Sequence, residues 1–261
     1  MCLIAFSWQQ HPDRPLVLIG NRDEFHARPS AALARWADAP QLLAGRDLTA
    51  GGTWLGVSEH GRLAAVTNVR SPEPAPAELK SRGALASGFL RGQADAQAYV
   101  DGLLPEFAGY GACNLLLFDT RQAIFASNQP RPEARALAAG LYGLSNASLD
   151  TPWPKTVALR EALGGWLQAG RLDDFDPLFD ALADEHRAPD AQLPDTGIGV
   201  DRERLLASAF IRSAFYGTRA STVVAVDARG RGRMVERRFG PGGVALGEHE
   251  ARFHWPASAP A

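Results

Sequence analysis

Short apolar runs arrive in pairs along this chain, each pair joined by a few turn-forming residues, and this pairing limits the fold more than any other feature. LIAFSW (residues 3–8) and LVLIG (residues 16–20) flank QQHPDRP. TWLGV and RLAAVTN flank SEHG, NLLLFD and AIFAS follow one another between residues 114 and 127, and STVVAVD and RMVERRF flank RGRG. Runs of this length bounded by Gly, Pro, Asp and Asn predict β-hairpins. Helical spacing occurs between them, at residues 84–92, 93–104, 152–170 and 174–187. In the third of these segments Val157, Leu159, Leu163, Trp166 and Leu167 form an apolar stripe, and Pro154 suits a helix start. Hairpins with helices grouped between them predict an α+β chain with largely antiparallel sheets, not alternating βαβ units. A four-layer αββα sandwich fits that pattern.

With 261 residues, 46% hydrophobic and 21% charged, the chain can fill a sizeable core. One domain over residues 1–250 is expected, followed by a mobile tail at 251–261, with SPEPAPAELK (residues 71–80) as a surface loop. The formal charge of −2, with basic and acidic residues interleaved, gives no reason to expect nucleic acid as a partner. No apolar run reaches the ~18 to 20 residues of a membrane span. Two cysteines, Cys2 and Cys113, make neither a disulfide framework nor a CxxC metal pair, and the amino-terminal segment lacks a signal-peptide pattern. A reducing, cytoplasmic setting is the expectation. The oligomeric state has no signature here.

Cys2 directly follows Met1. It is open to two readings: a small apolar residue beginning a strand, or a nucleophile exposed when Met1 is removed. The first hairpin bears on the choice. If its strands pair around a turn near Pro12, Cys2 falls opposite Arg22, and Glu24 shares that face while Asn21 and Asp23 point to the other unless the strand bends. Thiol, guanidinium and carboxylate then meet. A neighbouring positive charge favours the reactive thiolate, and a free α-amine is a suitable base near neutrality.

The stretches MCLIAF, IGNRDEFHARPS, AGGTWLGV, AAVTNVR, GLSNASLDTPWPK and YGTRASTVVAVD, in this order over nearly the whole chain, resemble the NRDE family, the homologues of transport and Golgi organisation protein 2. That family is similar in its amino terminus to N-terminal nucleophile hydrolases of the cholylglycine hydrolase and penicillin V acylase type. The resemblance implies the αββα sandwich, with Cys2 as nucleophile and Arg22, Asp23 and Glu24 as tuning groups whose roles are not separated. It also implies Asn68 and Asn146 as oxyanion donors. Arg219 is a candidate to grip a carboxylate or phosphate of a ligand, with a surface arginine as the equal alternative.

The six histidines include no HExxH and no CxxCH, so no metal site is expected. His26, close after NRDE, is a candidate ligand-binding residue, although a solvated loop histidine is favoured. Two functions are carried forward. One is hydrolysis of a small-molecule acyl amide or thioester at Cys2, which needs no cofactor. The other is a non-enzymatic carrier of haem or of an acyl-coenzyme A or lipid conjugate, as the family's associations imply, with Trp8, Trp36, Trp54 and Phe25 as cleft lining.

Overall fold

The computed structural model describes residues 2–72, 76 and 78–256. In chain order the strands are β1 (Cys2–His11), β2 (Arg14–Phe25), β3 (Ser30–Trp36), β4 (Ala39–Asp47), β5 (Leu55–Ser58) and β6 (Arg62–Asn68). Helices α1 (Gly83–Arg91) and α2 (Ala96–Leu103) follow, then β7 (Cys113–Phe118), β8 (Ala123–Ser127), β9 (Glu133–Leu137) and β10 (Gly140–Leu144). Helices α3 (Pro154–Ala169), α4 (Asp176–Leu182) and α5 (Val200–Leu205) precede β11 (Tyr216–Val226), β12 (Arg231–Phe239) and β13 (Ala245–His254).

The strands make two antiparallel sheets, one in the order β10-β1-β2-β11-β12-β13 and the other in the order β3-β4-β5-β6-β7-β8-β9. The side chains of β1 show how the sheets are layered. Ile4, Phe6 and Trp8 enter a core shared with Leu55, Leu63, Leu116 and Phe118 of the second sheet. Leu3 and Ala5, on the opposite face, pack with Leu159 and Leu163 of α3 and Leu178 of α4. A strand buried on both faces needs apolar residues at every position, which is why LIAFSW is continuous and not alternating. The second sheet buries its outer face against Leu85, Phe89 and Leu90 of α1 and Val100 of α2. The four layers are therefore helix, sheet, sheet, helix, the αββα arrangement expected from the sequence.

Helix α3 begins with Pro154 in its first turn and ends at Gly170, whose φ of 73° is the left-handed conformation that glycine adopts without strain. Its buried Leu159, Leu163, Trp166 and Leu167 anchor it to the first sheet, at about 1.5–3 kcal/mol for each large side chain removed from water. Helix α4 is shorter than its sequence segment, because Asp184–Arg187 are exposed and no longer follow the apolar stripe.

All four hairpins read from the sequence are present. The strands that escaped notice are β3, β4, β9, β10 and β13, among which β3, β9, β10 and β13 are sheet edges. Six successive residues at the start of β13 are exposed, so no apolar alternation marks it. The expected mobile tail from residue 251 is corrected by this strand. β13 runs to His254, and Phe253 and Trp255 are buried in the core between the sheets. The remainder of that segment, residues 257–261, lies outside the described residues. No helix among the described residues is long and apolar enough to cross a membrane.

Candidate active site

Strands β1 and β2 pair with Cys2 opposite Arg22, Leu3 opposite Asn21 and Ile4 opposite Gly20, the register expected from the hairpin. The even-numbered residues of β1 face the core between the sheets, so Cys2 and Arg22 stand at the end of that core, where it opens into a cleft of about 310 Å³. Gly20 is required one pleat below. A Cβ there would lie 2.8 Å from the Leu3 carbonyl oxygen and 3.4 Å from Trp54. Glu24 continues the same face and borders the cleft, its Oε2 3.8 Å from Arg22 Nη2. From the second sheet Asp47 approaches Arg22 Nη2 to 3.8 Å. Asp47 is itself fixed by Arg28 Nε at 2.6 Å and by the backbone N–H groups of Thr49 and Ala50.

Strand β11 contributes through a bulge. Thr218 pairs with Asp23 and Ala220 with Arg22, leaving Arg219 as the extra residue between them. Arg219 borders the cleft, and its Nη1 donates to the carbonyl oxygens of Phe25, His26 and Arg28 at 2.9, 3.2 and 3.0 Å. The turn after NRDE is thereby held in place. Asp23 has its side chain engaged by Thr218, whose hydroxyl donates to Oδ1 at 2.8 Å, and it is almost completely buried. Asn21, on the same helix-facing side, donates to the carbonyls of Leu182 and Ala209 and accepts from Ser221.

The two asparagines come together. Asn68, at the end of β6, borders the cleft, and its carbonyl accepts from Asn146 Nδ2 at 2.9 Å. Extending the β1–β10 register two residues beyond Ile4–Leu144 sets Asn146 across from Cys2. Ser145 supports that placement by donating its hydroxyl to the Cys2 carbonyl at 3.3 Å. Asn146 is buried and is not among the described residues that line the cleft.

A sequence model of the family described as Transport and Golgi organisation 2 matches residues 1–241. The chain belongs to the Transport and Golgi organisation 2 family. The mouse and human Transport and Golgi organisation 2 homologues are each 34% identical to it over 256 residues, covering 91% of this chain and 92% of theirs. The Drosophila melanogaster protein is 26% identical over 264 residues, covering 90% of this chain and 91% of its own. Looser similarity in chain course is found with a Caenorhabditis elegans N-acylethanolamine-hydrolyzing acid amidase ortholog, at TM-score 0.48, 10% identity and coverage of 85% of this chain and 92% of that one. A conjugated bile acid hydrolase variant from Clostridium perfringens gives TM-score 0.45 and 10% identity, covering 99% and 98%.

In this Transport and Golgi organisation 2 family chain, burial dominates the electrostatics around Cys2. Cys2 is only 6% exposed, and burial pushes its thiol up to about 11 despite the opposing pull of Arg22. Asp23 is also raised by burial, against the lowering influence of Lys155, the Thr218 hydroxyl and Arg22. Lys155, at the start of α3, is buried with Nζ donating to the Leu206 carbonyl at 2.8 Å, and burial lowers it to about 8 while Asp23 and Cys2 act in the opposite direction. Behind it Arg70 and Glu203 form a buried ion pair, with Arg70 over the Trp153 ring.

Not every expected residue reaches the site. Trp54 lines the cleft, but His26 is not among the described residues that do so. Its backbone N–H donates to Phe215, and burial, then the charge of Arg219, lowers its pKa. The other aromatic residues considered as lining for haem lie elsewhere. Trp8 lies in the core between the sheets, Trp36 lies on the helix side of the second sheet, and Phe25 is 59% exposed against Tyr216. Among the described residues no group of three or more His, Cys, Asp or Glu side chains is placed to hold a metal ion. Sequence reasoning missed Arg28, Asp47, Lys155, Glu236 and Arg238. Lys155 had a local signal, a lysine directly after TPWP at the start of the helical segment. Asp47, Glu236 and Arg238 had none, because the pairing of β4 and β12 with distant strands brings them in.

Proposed function

We propose that this chain is a cysteine N-terminal nucleophile hydrolase acting on an acyl amide or thioester, with Cys2 unmasked by removal of Met1. The observation that carries this reading is the cross-strand pairing of Cys2 with Arg22 at the mouth of a cleft that Asn68 also borders. A thiol pushed up to about 11 is almost entirely protonated at neutral pH, so it needs a base at hand. The α-amine of a terminal Cys2, with a pKa ordinarily near 7.7–8.0, supplies one within the same residue.

In the first step the amine takes the thiol proton, the sulfur bonds to the acyl carbon, and the carbonyl π electrons move onto oxygen. Asn68 borders the cleft, its side-chain amide is the candidate donor to that oxyanion, and the Asn146 amide engages the Asn68 carbonyl. Collapse breaks the bond to the leaving amine or thiol, which takes the proton from the ammonium. Water, deprotonated by the same amine, then attacks the thioester and releases the carboxylic acid and the Cys2 thiol. Arg22 faces the sulfur throughout and favours its anionic form.

Intact mass of the protein purified from its own cell gives the first test: loss of Met1 is expected, and a retained Met1 defeats the mechanism. Turnover of a panel of acyl amides and thioesters by the processed chain and by Cys2→Ala gives the second. Hydrolysis that survives Cys2→Ala assigns the chemistry elsewhere. The rival function, a non-enzymatic carrier of haem or of an acyl-coenzyme A or lipid conjugate, is separated by the same panel, since a carrier turns over none of it, and the pairing of Cys2 with Arg22 supports the hydrolase reading.

A further inference from the structure

Two arginines that line the cleft present buried donors with no acceptor among the described residues: Nη1 of Arg22 and Nε of Arg219. A guanidinium removed from water is costly unless its N–H groups are accepted by something. Arg22 Nη2 has Glu24 and Asp47 at 3.8 Å, attraction without hydrogen bonds. Arg219, 9% exposed, has Nη1 tied to three carbonyls, and this leaves outside the clamp its Nε–Nη2 edge, the edge that meets a carboxylate or phosphate with two parallel bonds. The two residues are close, since Arg219 adjoins Ala220, the cross-strand partner of Arg22.

The acids of the cleft do not balance this charge. Among the described lining residues basic side chains outnumber acidic ones seven to four, an excess that falls to five against four once Arg46, paired with Asp38, and Lys80, paired with Glu106, are set aside. Asp47 is taken by Arg28, Glu24 accepts from the Phe25 N–H at 2.9 Å, and Glu236 accepts from the Leu33 N–H at 2.8 Å. Burial first, and then the charges of Arg22 and Arg238, lower the pKa of Arg219, the mark of cations crowded together.

We infer that the cleft beside Cys2 holds an anionic group of the ligand, a carboxylate or a tetrahedral oxyanion of the phosphate type, between Arg22 and Arg219. This deepens the hydrolase reading by naming the charge its substrate carries, and rests on that reading only for the statement that the ligand is a substrate.

Binding is measured calorimetrically with the Cys2→Ala chain at low ionic strength, using sodium phosphate in one arm and sodium glutarate in the other. Saturation at one site per chain is expected in at least one arm, and the arm that saturates identifies the oxyanion. Arg219→Lys keeps the charge but loses the two-bond edge, and should weaken the probe about tenfold or more. Glu236→Gln removes a negative charge from the wall and should tighten it, a change of sign that misfolding does not produce. The inference is overturned if neither probe saturates, or if neither substitution moves the affinity. Because the thiol is absent, binding here stands whether or not the unsubstituted chain turns over an amide. Equally, a failure to bind leaves hydrolysis of uncharged amides unaffected.

Discussion

Cys2 and Arg22 are direct partners on the β1–β2 ladder, on the face that opens into the cleft. Opposed side chains on such a face have β-carbons about 4.5–5.5 Å apart, close enough for the guanidinium to act on the thiol. In a chain that keeps Met1, alkylation of Cys2 by iodoacetamide should rise about tenfold per pH unit from pH 7, because the thiolate fraction grows that way below a pKa of about 11. Arg22→Gln should slow it further by removing a charge that favours the anion. Peptide-level mass spectrometry separates Cys2 from Cys113, and a rate independent of pH would show that the thiol is already ionised.

Lys155 and Asp23 lower each other's cost of burial. Lys155→Met removes one of the positive charges that favour the Asp23 carboxylate, Arg22 remaining, and leaves the Leu206 carbonyl without its donor, and is expected to destabilise the fold by about 1–3 kcal/mol. Adding Asp23→Asn should return part of that loss, a coupling readable from urea unfolding of the two single variants and the double variant. Strict additivity would mean that the groups act independently.

Glu236 is buried, and burial raises its carboxyl above the ordinary 4.5, outweighing the Leu33 N–H and the nearby Arg238. The folded protein therefore binds this proton more tightly than the unfolded chain does. The resulting stabilisation is complete below pH 4.5 and is lost as the pH rises through the folded value. Glu236→Gln should match the parent below pH 4.5 and become progressively more stable than it above that pH. Parallel stability profiles for the two proteins would remove burial of the carboxylate as a destabilising term.

Gly20→Ala places a methyl group 2.8 Å from the backbone oxygen of Leu3 and 3.1 Å from Ile4 Cγ1. Backbone does not yield as a side-chain end does, so a loss of about 1–3 kcal/mol is expected, together with altered Cys2 alkylation as β1 shifts. Thermal unfolding and the alkylation rate measured together check both parts.

The first hairpin was legible because its apolar runs and turn residues are local, and with its register came the meeting of Cys2, Arg22 and Glu24. Strands β3 and β13 were not, because they lie at sheet edges with much of their length exposed and take their conformation from a neighbour. The same limit applied to the site. Asp47 and Glu236 belong to segments with no local mark of function, and only sheet order sets them beside residues far away in sequence. Arg219 was noticed as a cation. Its clamp on three carbonyls depends on one extra residue in a strand, which no periodicity announces.

That extra residue makes β11 one position too long for its neighbour, and the surplus splits the strand into two phases. From Ala220 onward the odd-numbered Ser221, Val223 and Ala225 address the helices, whereas before it the even-numbered Thr218 does so. A deletion at 219 would bring Thr218 directly before Ala220 and leave both pairings, Thr218 with Asp23 and Ala220 with Arg22, in unbroken alternation. Asp23 would keep its hydroxyl partner, while the cleft lost an arginine and the turn after NRDE lost its clamp. The two sides of the first sheet are thus separable at this position: a length change of one residue strips the cleft side and spares the helix side.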